Sequence, residues 1–218
     1  VQHPEEAAAI VELRLDQLAE PGRPARRPLR ADLDHHVALA GDQFHAVRLL
    51  RLRSLVSPST GVQRRDELGD AFVATARRAL RLDFDLVELH GAHGYLLHSF
   101  MSPISNRRDD ECGGSLDNRM RFPLEVVAAV RDVWPKDRPL GMRITGSDWL
   151  DGGITPDDAV AIARSLKTAG IDYVCVSSGG VNPSAKVKLE PGYQVPFAAR
   201  VREGAGVATR AVGLISTP

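Results

Sequence analysis

Cysteine is almost missing from this chain: 218 residues carry only Cys112 and Cys175. The two stand far apart and match neither a metal-ligand spacing nor a redox Cys-x-x-Cys pair. That excludes a disulfide scaffold and points to free thiols in a reducing, cytoplasmic compartment. An excess of charge of one sign is missing too, because 28 basic residues balance 28 acidic ones. A chain without net charge has no global field to gather nucleic acid or an anionic membrane, and neither is expected as a partner. No apolar run approaches the roughly 18 residues of a membrane span. The first residues show no basic stretch followed by an apolar one, so no signal peptide is read there. The chain opens on Val1 and stops just past the apolar run that ends at Ile215, and both ends read as cut.

The rest of the composition is that of an ordinary globular protein, with 43% hydrophobic and 26% charged residues. The length suffices for one sizeable domain or most of a (β/α)8 barrel, which usually needs about 250 residues. Along the chain, Glu5 to Leu13 is Ala-rich and reads as helix, with Pro4 near its start. Leu13 to Ala19 is a short candidate strand. From Pro21 to Arg65 arginine, proline and glycine crowd the sequence and no period of 2 or 3.6 persists, so residues 24–65 read as an irregular segment. Basic runs such as Arg23-Pro24-Ala25-Arg26-Arg27 fit a solvated loop better than a phosphate site.

After Asp66 the pattern sharpens. Asp66 to Leu82 is an amphipathic helix with Leu68, Phe72, Ala76 and Ala79 on one face. Leu86 to Leu89 is a short buried strand and Pro123 to Val133 a second helix. Leu140 to Thr145 is a strand. Thr155 caps a helix from Pro156 to Ala169 that Gly170 ends. Asp172 to Ser177 is a strand, Phe197 to Glu203 a helix, and Ala211 to Ile215 a last strand. Strands alternating with helices predict an α/β fold with a parallel sheet.

In such a sheet chemistry gathers at the carboxyl ends of the strands. His90, His93 and Tyr95 follow the strand at Leu86, with glycines at 91 and 94 that let the backbone turn. Two imidazoles and a phenol there suit the binding of a substrate oxygen and the delivery of a proton. A zinc reading of His90-x-x-His93 has no Glu after the first His and no third ligand close by; His98, on an apolar flank, reads as a hydrogen-bonded structural histidine. His90 and His93 as plain core histidines are the other bland alternative. Arg143, inside a strand, needs an anionic or polar partner. That partner is either a carboxylate such as Glu88 or Asp148, or a ligand that becomes anionic. The loop Asp110 to Arg119 is Gly-rich and precedes a helix, but it has neither G-x-G-x-x-G nor a Walker pattern, so its phosphate reading is weak.

Three runs stand out together: His90-Gly91-Ala92-His93-Gly94-Tyr95-Leu96-Leu97; Phe100-Met101-Ser102-Pro103-Ile104-Ser105-Asn106-Arg107-Arg108-Asp109; and Gly113-Gly114-Ser115-Leu116-Asp117-Asn118-Arg119-Met120-Arg121-Phe122. Their order resembles the signature of the old yellow enzyme family of FMN-dependent NAD(P)H oxidoreductases. The likeness continues through Arg143-Ile144-Thr145 and Pro191-Gly192-Tyr193-Gln194 to Val212-Gly213-Leu214-Ile215. It covers about residues 66 to 218. The resemblance implies a (β/α)8 TIM barrel that is incomplete here, with the first strands and the eighth strand missing. Five strands can be placed, near Leu13, Leu86, Leu140, Tyr173 and Ala211, in a single partial barrel domain over 1–218.

The resemblance also implies roles. His90 and His93 bind the oxygen of an activated alkene and Tyr95 donates a proton. Arg143 lies by the flavin pyrimidine edge and Gly213 touches the phosphate side. Gln17, in a run where Glu20 replaces the family's His, bonds the pyrimidine. The implied cofactors are FMN and NAD(P)H, the substrate is a small enone or related alkene, and no metal is involved. The implied reaction reduces the C=C bond of an α,β-unsaturated carbonyl compound. Two alternatives are a metal-dependent barrel hydrolase and an inactive fragment of a barrel. The sequence leaves a homo-oligomer open.

Overall fold

Polar and apolar residues alternate along the strands after residue 86, and the alternation decides which face of the sheet meets the helices. A computed structural model describes residues 8–14, 45–51 and 61–216. Six strands form one sheet in the order β2-β1-β3-β4-β5-β6. They are β1 (Ala8–Arg14), β2 (His45–Arg51), β3 (Val87–Gly91), β4 (Leu140–Thr145), β5 (Tyr173–Ser177) and β6 (Ala208–Ala211). From β3 to β6 the pairing is parallel throughout. Helices make the crossovers: α2 (Leu96–Met101) and α3 (Leu116–Val133) between β3 and β4, α4 (Pro156–Thr168) before β5, and α5 (Val195–Ala205) before β6. Helix α1 (Gly61–Arg81) leads into β3. Four parallel strands with helical returns are a partial (β/α)8 barrel.

The register sets the two faces. Val87 pairs with Leu140 and Leu89 with Met142, while Met142 pairs with Val174 and Ile144 with Val176. These side chains point to the helices and join Phe72, Ala76, Val126, Val127, Val130, Ile162 and Leu166 in one buried core. The alternate positions point the other way. They are Glu88 and His90 on β3, Arg143 and Thr145 on β4, Tyr173, Cys175 and Ser177 on β5, and Arg210 on β6. From β3 to β6 the helix-facing side is therefore mostly aliphatic, and the inner side carries most of the polar side chains of these four strands.

Several expectations change. The Ala-rich start is a strand, Ala8–Arg14, rather than a helix. Ile10 and Val11 favour extended chain, and pairing to both β2 and β3 outweighs alanine's helix preference, because tertiary pairing overrides local propensity. β1 also runs antiparallel to β3, so the strand placed near Leu13 does not continue the parallel series. Residues 24–65 are not irregular throughout, because His45–Arg51 is a strand and α1 begins at Gly61. Helix α3 starts at Leu116, seven residues before Pro123, with the Ser115 oxygen accepting from the Asn118 amide. The last strand is Ala208–Ala211 and not Ala211 to Ile215; Leu214 and Ile215 are exposed. The capping box at Thr155 and Asp158 is present as the sequence predicts.

Candidate active site

Strand β3 ends in His90 and Gly91, and the chain turns at once. His93 and Gly94 both adopt left-handed backbone, with φ of 59° and 78°. Two such residues in a row reverse the chain, and α2 begins at Leu96. The turn folds three rings together. The His90 ring centroid lies 5.2 Å from that of His93, edge to face, and 4.9 Å from that of Tyr95. His90 is buried, His93 half-buried and Tyr95 exposed. The cluster therefore grades from the sheet interior to solvent, as a site open to a small molecule must.

A buried network holds the turn. The Gly94 amide donates to His98 Nδ1 at 2.7 Å. With Nδ1 accepting, the ring's own proton sits on Nε2, 3.1 Å from Asp148 Oδ1. The other Asp148 oxygen accepts from the Ser102 hydroxyl at 2.6 Å and from the Ile154 amide at 2.8 Å. Burial alone would raise the Asp148 pKa. The donors from His98, Ser102 and Ile154 more than offset it and hold the carboxyl below its usual range. His98 is thus the structural histidine the sequence suggested. Its ring is committed and does not serve as a third metal ligand. Among the described residues no group of three or more His, Cys, Asp or Glu side chains is placed to hold a metal ion.

A second loop closes on the turn. Gly180, after β5, has φ of 89°, and a Cβ there would lie 2.6 Å from His93 Cα. A Cβ on Gly94 would lie 2.9 Å from the Gly180 carbonyl oxygen. The loops cross backbone to backbone, and only glycine permits the approach.

Arg143 stands on the inner face next to His90, its register partner. Both carboxylates suggested for it are also engaged with other groups. Asp148 is held as described, and both Glu88 oxygens accept from Arg210, at 2.8 and 2.6 Å. Arg143 reaches the Ser177 hydroxyl at 3.5 Å. The Glu88–Arg210 pair forms a charged layer below the site with Tyr173 and Cys175. Burial there pushes the Tyr173 phenol and the Cys175 thiol up.

Ser177 also lies 2.7 Å from His93 Nε2 and donates to Gln194 Oε1 at 3.1 Å. Sequence reasoning assigned no role to Ser177 or Gln194. The available signal was a buried-type polar residue in the Pro191-Gly192-Tyr193-Gln194 run, at the start of a helix. Gly213 packs on the same amide, and its carbonyl accepts from the Gly192 amide at 3.2 Å. Gln17 lies outside the described residues. The Gly-rich loop is occupied by its own packing. Asn106 donates to the Phe100 and Cys112 carbonyls, and Arg119 to those of Met101 and Gly114.

Residues 59–218 match the model of the NADH:flavin oxidoreductase / NADH oxidase family. The chain belongs to that family. It is 52% identical over 152 residues to an NADPH dehydrogenase of Geobacillus sp. (strain WCH70), covering 70% of this chain and 44% of that protein. It is 38% identical over 230 residues to an NADPH dehydrogenase of Listeria monocytogenes, covering 97% of this chain and 66% of that protein. Among solved structures, a complex of 2-naphthoyl-CoA reductase with 2-naphthoyl-CoA superposes with a TM-score of 0.67 at 26% identity. The match covers 80% of this chain and 26% of that one. The chain thus spans less than half of the Geobacillus relative's length. The family membership confirms the resemblance read from the three motif runs.

Proposed function

We propose that these residues form the substrate side of an FMN-dependent oxidoreductase, which takes electrons from NAD(P)H and reduces the C=C bond of an α,β-unsaturated carbonyl compound. One observation carries the reading: the His90, His93 and Tyr95 rings stand together at the carboxyl end of β3, with the Arg143 cation one strand away. The inner face fits a flavin. Arg143 brings a permanent cation, and the Thr145 hydroxyl on the same face of β4 is buried without a hydrogen-bond partner among the described residues. Arg143 would hold the pyrimidine edge. Gln17 and Gly213 are the further contacts that the family resemblance assigns.

When bound, FMN supplies the hydride that reaches the β-carbon of the alkene. Negative charge then develops on the carbonyl oxygen, and His90 and His93 donate to it. A placed donor of that kind contributes about 2.7–4 kcal/mol. Tyr95, the most exposed of the three, delivers the proton to the α-carbon. Arg143 favours a ligand that gains negative charge beside it. The protein is assigned to the cytoplasm, in keeping with two free, buried cysteines.

The test is kinetic and spectroscopic. His90→Ala and His93→Ala should each lower kcat/KM for an enone about 10²-fold while the flavin absorbance of the purified protein is unchanged. Equal kcat/KM in wild type and both variants would sink the assignment.

A further inference from the structure

We infer that Ser177 and Gln194 are positioning residues that fix the proton of His93 on Nε2. The consequence for turnover rests on the function proposed above; the protonation pattern itself does not.

Gln194 is 2% exposed and stands at the N-cap of α5. A side chain there would ordinarily accept from the first helical amides. This one makes no cap bond. Its Nε2 donates to the Val212 carbonyl at 3.2 Å, and its Oε1 accepts from Ser178 Oγ at 2.7 Å and from Ser177 Oγ at 3.1 Å. The amide has only one sound orientation. Turned over, Oε1 would face the Val212 oxygen, two acceptors with no proton between them. A backbone carbonyl cannot donate, so Val212 decides which end is which.

The protons of both serines are therefore committed to Gln194. Ser177 has only one, so its oxygen offers lone pairs to everything else. Arg143, a permanent donor, approaches it at 3.5 Å, and His93 Nε2 approaches at 2.7 Å. Nε2 must then carry a hydrogen. In the uncharged ring the lone pair is left on Nδ1.

This arrangement matters for a residue that must donate to a substrate oxygen. The Nε2–H is formed and aimed before substrate arrives, with Ser177 as its resting acceptor. A substrate oxygen takes over or shares that hydrogen and does not have to wait for a change of tautomer. The cost of choosing the tautomer is met by buried groups on β5 and α5.

The test needs neither flavin nor enone. Protein labelled with ¹⁵N-histidine is studied by long-range ¹H–¹⁵N correlation at a pH above the ring's titration, with His93→Ala assigning the signals. Wild type should show a protonated Nε2 and an unprotonated Nδ1 for His93. Gln194→Met keeps the bulk but removes the acceptor, so the Ser177 proton can turn to His93 Nε2 and the Nδ1–H form should appear. Ser178→Ala should leave the wild-type pattern, because Ser177 still donates to Gln194. A protonated Nδ1 and bare Nε2 in wild type would overturn the inference without any variant. So would identical His93 spectra in wild type and a folded Gln194→Met protein. Failure of the enone kinetics with the tautomer as stated would remove the proposed reaction and leave this inference standing.

Discussion

Replacing Asp148 by alanine tests whether the buried network behind the site is what holds the Gly94 turn. The carboxylate is fully buried and accepts three donors: His98 Nε2, the Ser102 hydroxyl and the Ile154 amide. Truncation leaves all three without their acceptor, and each stranded buried donor costs about 1–3 kcal/mol. The bare sum, roughly 3–9 kcal/mol, overstates the loss because neighbouring effects are not additive. Removing one partner of a buried charged pair typically costs about 3–5 kcal/mol, and about 4 kcal/mol is expected here. Asparagine keeps the volume and one accepting oxygen, which stays with His98. Its NH2 then meets the Ile154 amide, so one of the three bonds is lost, for about 1–2 kcal/mol. Urea titration followed by fluorescence of Trp134, which is 1% exposed, reads both values. For a chain of this size 4 kcal/mol corresponds to a Tm lower by about 8–16 °C. An Asp148→Ala loss below about 1 kcal/mol, or an asparagine variant less stable than the alanine one, would refute the reasoning.

The same carboxylate predicts an acid limb. Its folded pKa lies below the unfolded one, so its contribution is complete above about pH 3.9 and is lost as pH falls through the folded value. Urea midpoints measured down to pH 2.5 should fall less steeply in Asp148→Asn than in wild type. Gly180→Ala places a methyl 2.6 Å from His93 Cα at a φ of 89°, and a Tm drop equivalent to about 1–3 kcal/mol together with weaker enone binding is expected. Glu88→Ala leaves Arg210 on the inner face without its carboxylate; chemical denaturation should report a loss of about 3–5 kcal/mol. An unchanged midpoint would show that the layer is hydrated.

The strands at Leu140 and Tyr173 were legible because an aliphatic run with turn residues at both ends leaves few alternatives. The three-ring cluster was legible for a different reason: His90, His93 and Tyr95 lie within six positions, so a single turn brings them together. Ser177 comes from 84 residues beyond His93, and nothing in the local sequence announces that meeting. Gln194 was hidden by its position, since a polar residue before a helix reads as a cap. Pro123 misled in the same way, because proline favours a first helical turn, whereas here Ser115 caps the helix and proline sits inside it. At the other end, Ala211 to Ile215 reads as a strand, but Gly213 has φ of 100° and the ladder ends at Ala211. Gly213 and Leu214 leave extended backbone just where the hydrophobic pattern would continue it. The Ala-rich start shows the remaining weakness: local preference there is small, and sheet pairing decides.

The ion pair beneath the site has a consequence for the order in which the fold assembles. Glu88 and Arg210 are separated by 122 residues, while β3, β4 and β5 are linked to one another through their own helices. Near-neighbour units can form first, because each closes a shorter loop. Until β6 docks, the Glu88 carboxylate has not met the guanidinium that grips it in the finished sheet. The ion pair therefore closes in the step that brings in Arg210. Arg210→Lys, which loses the two-oxygen grip on Glu88, should slow that step in stopped-flow refolding.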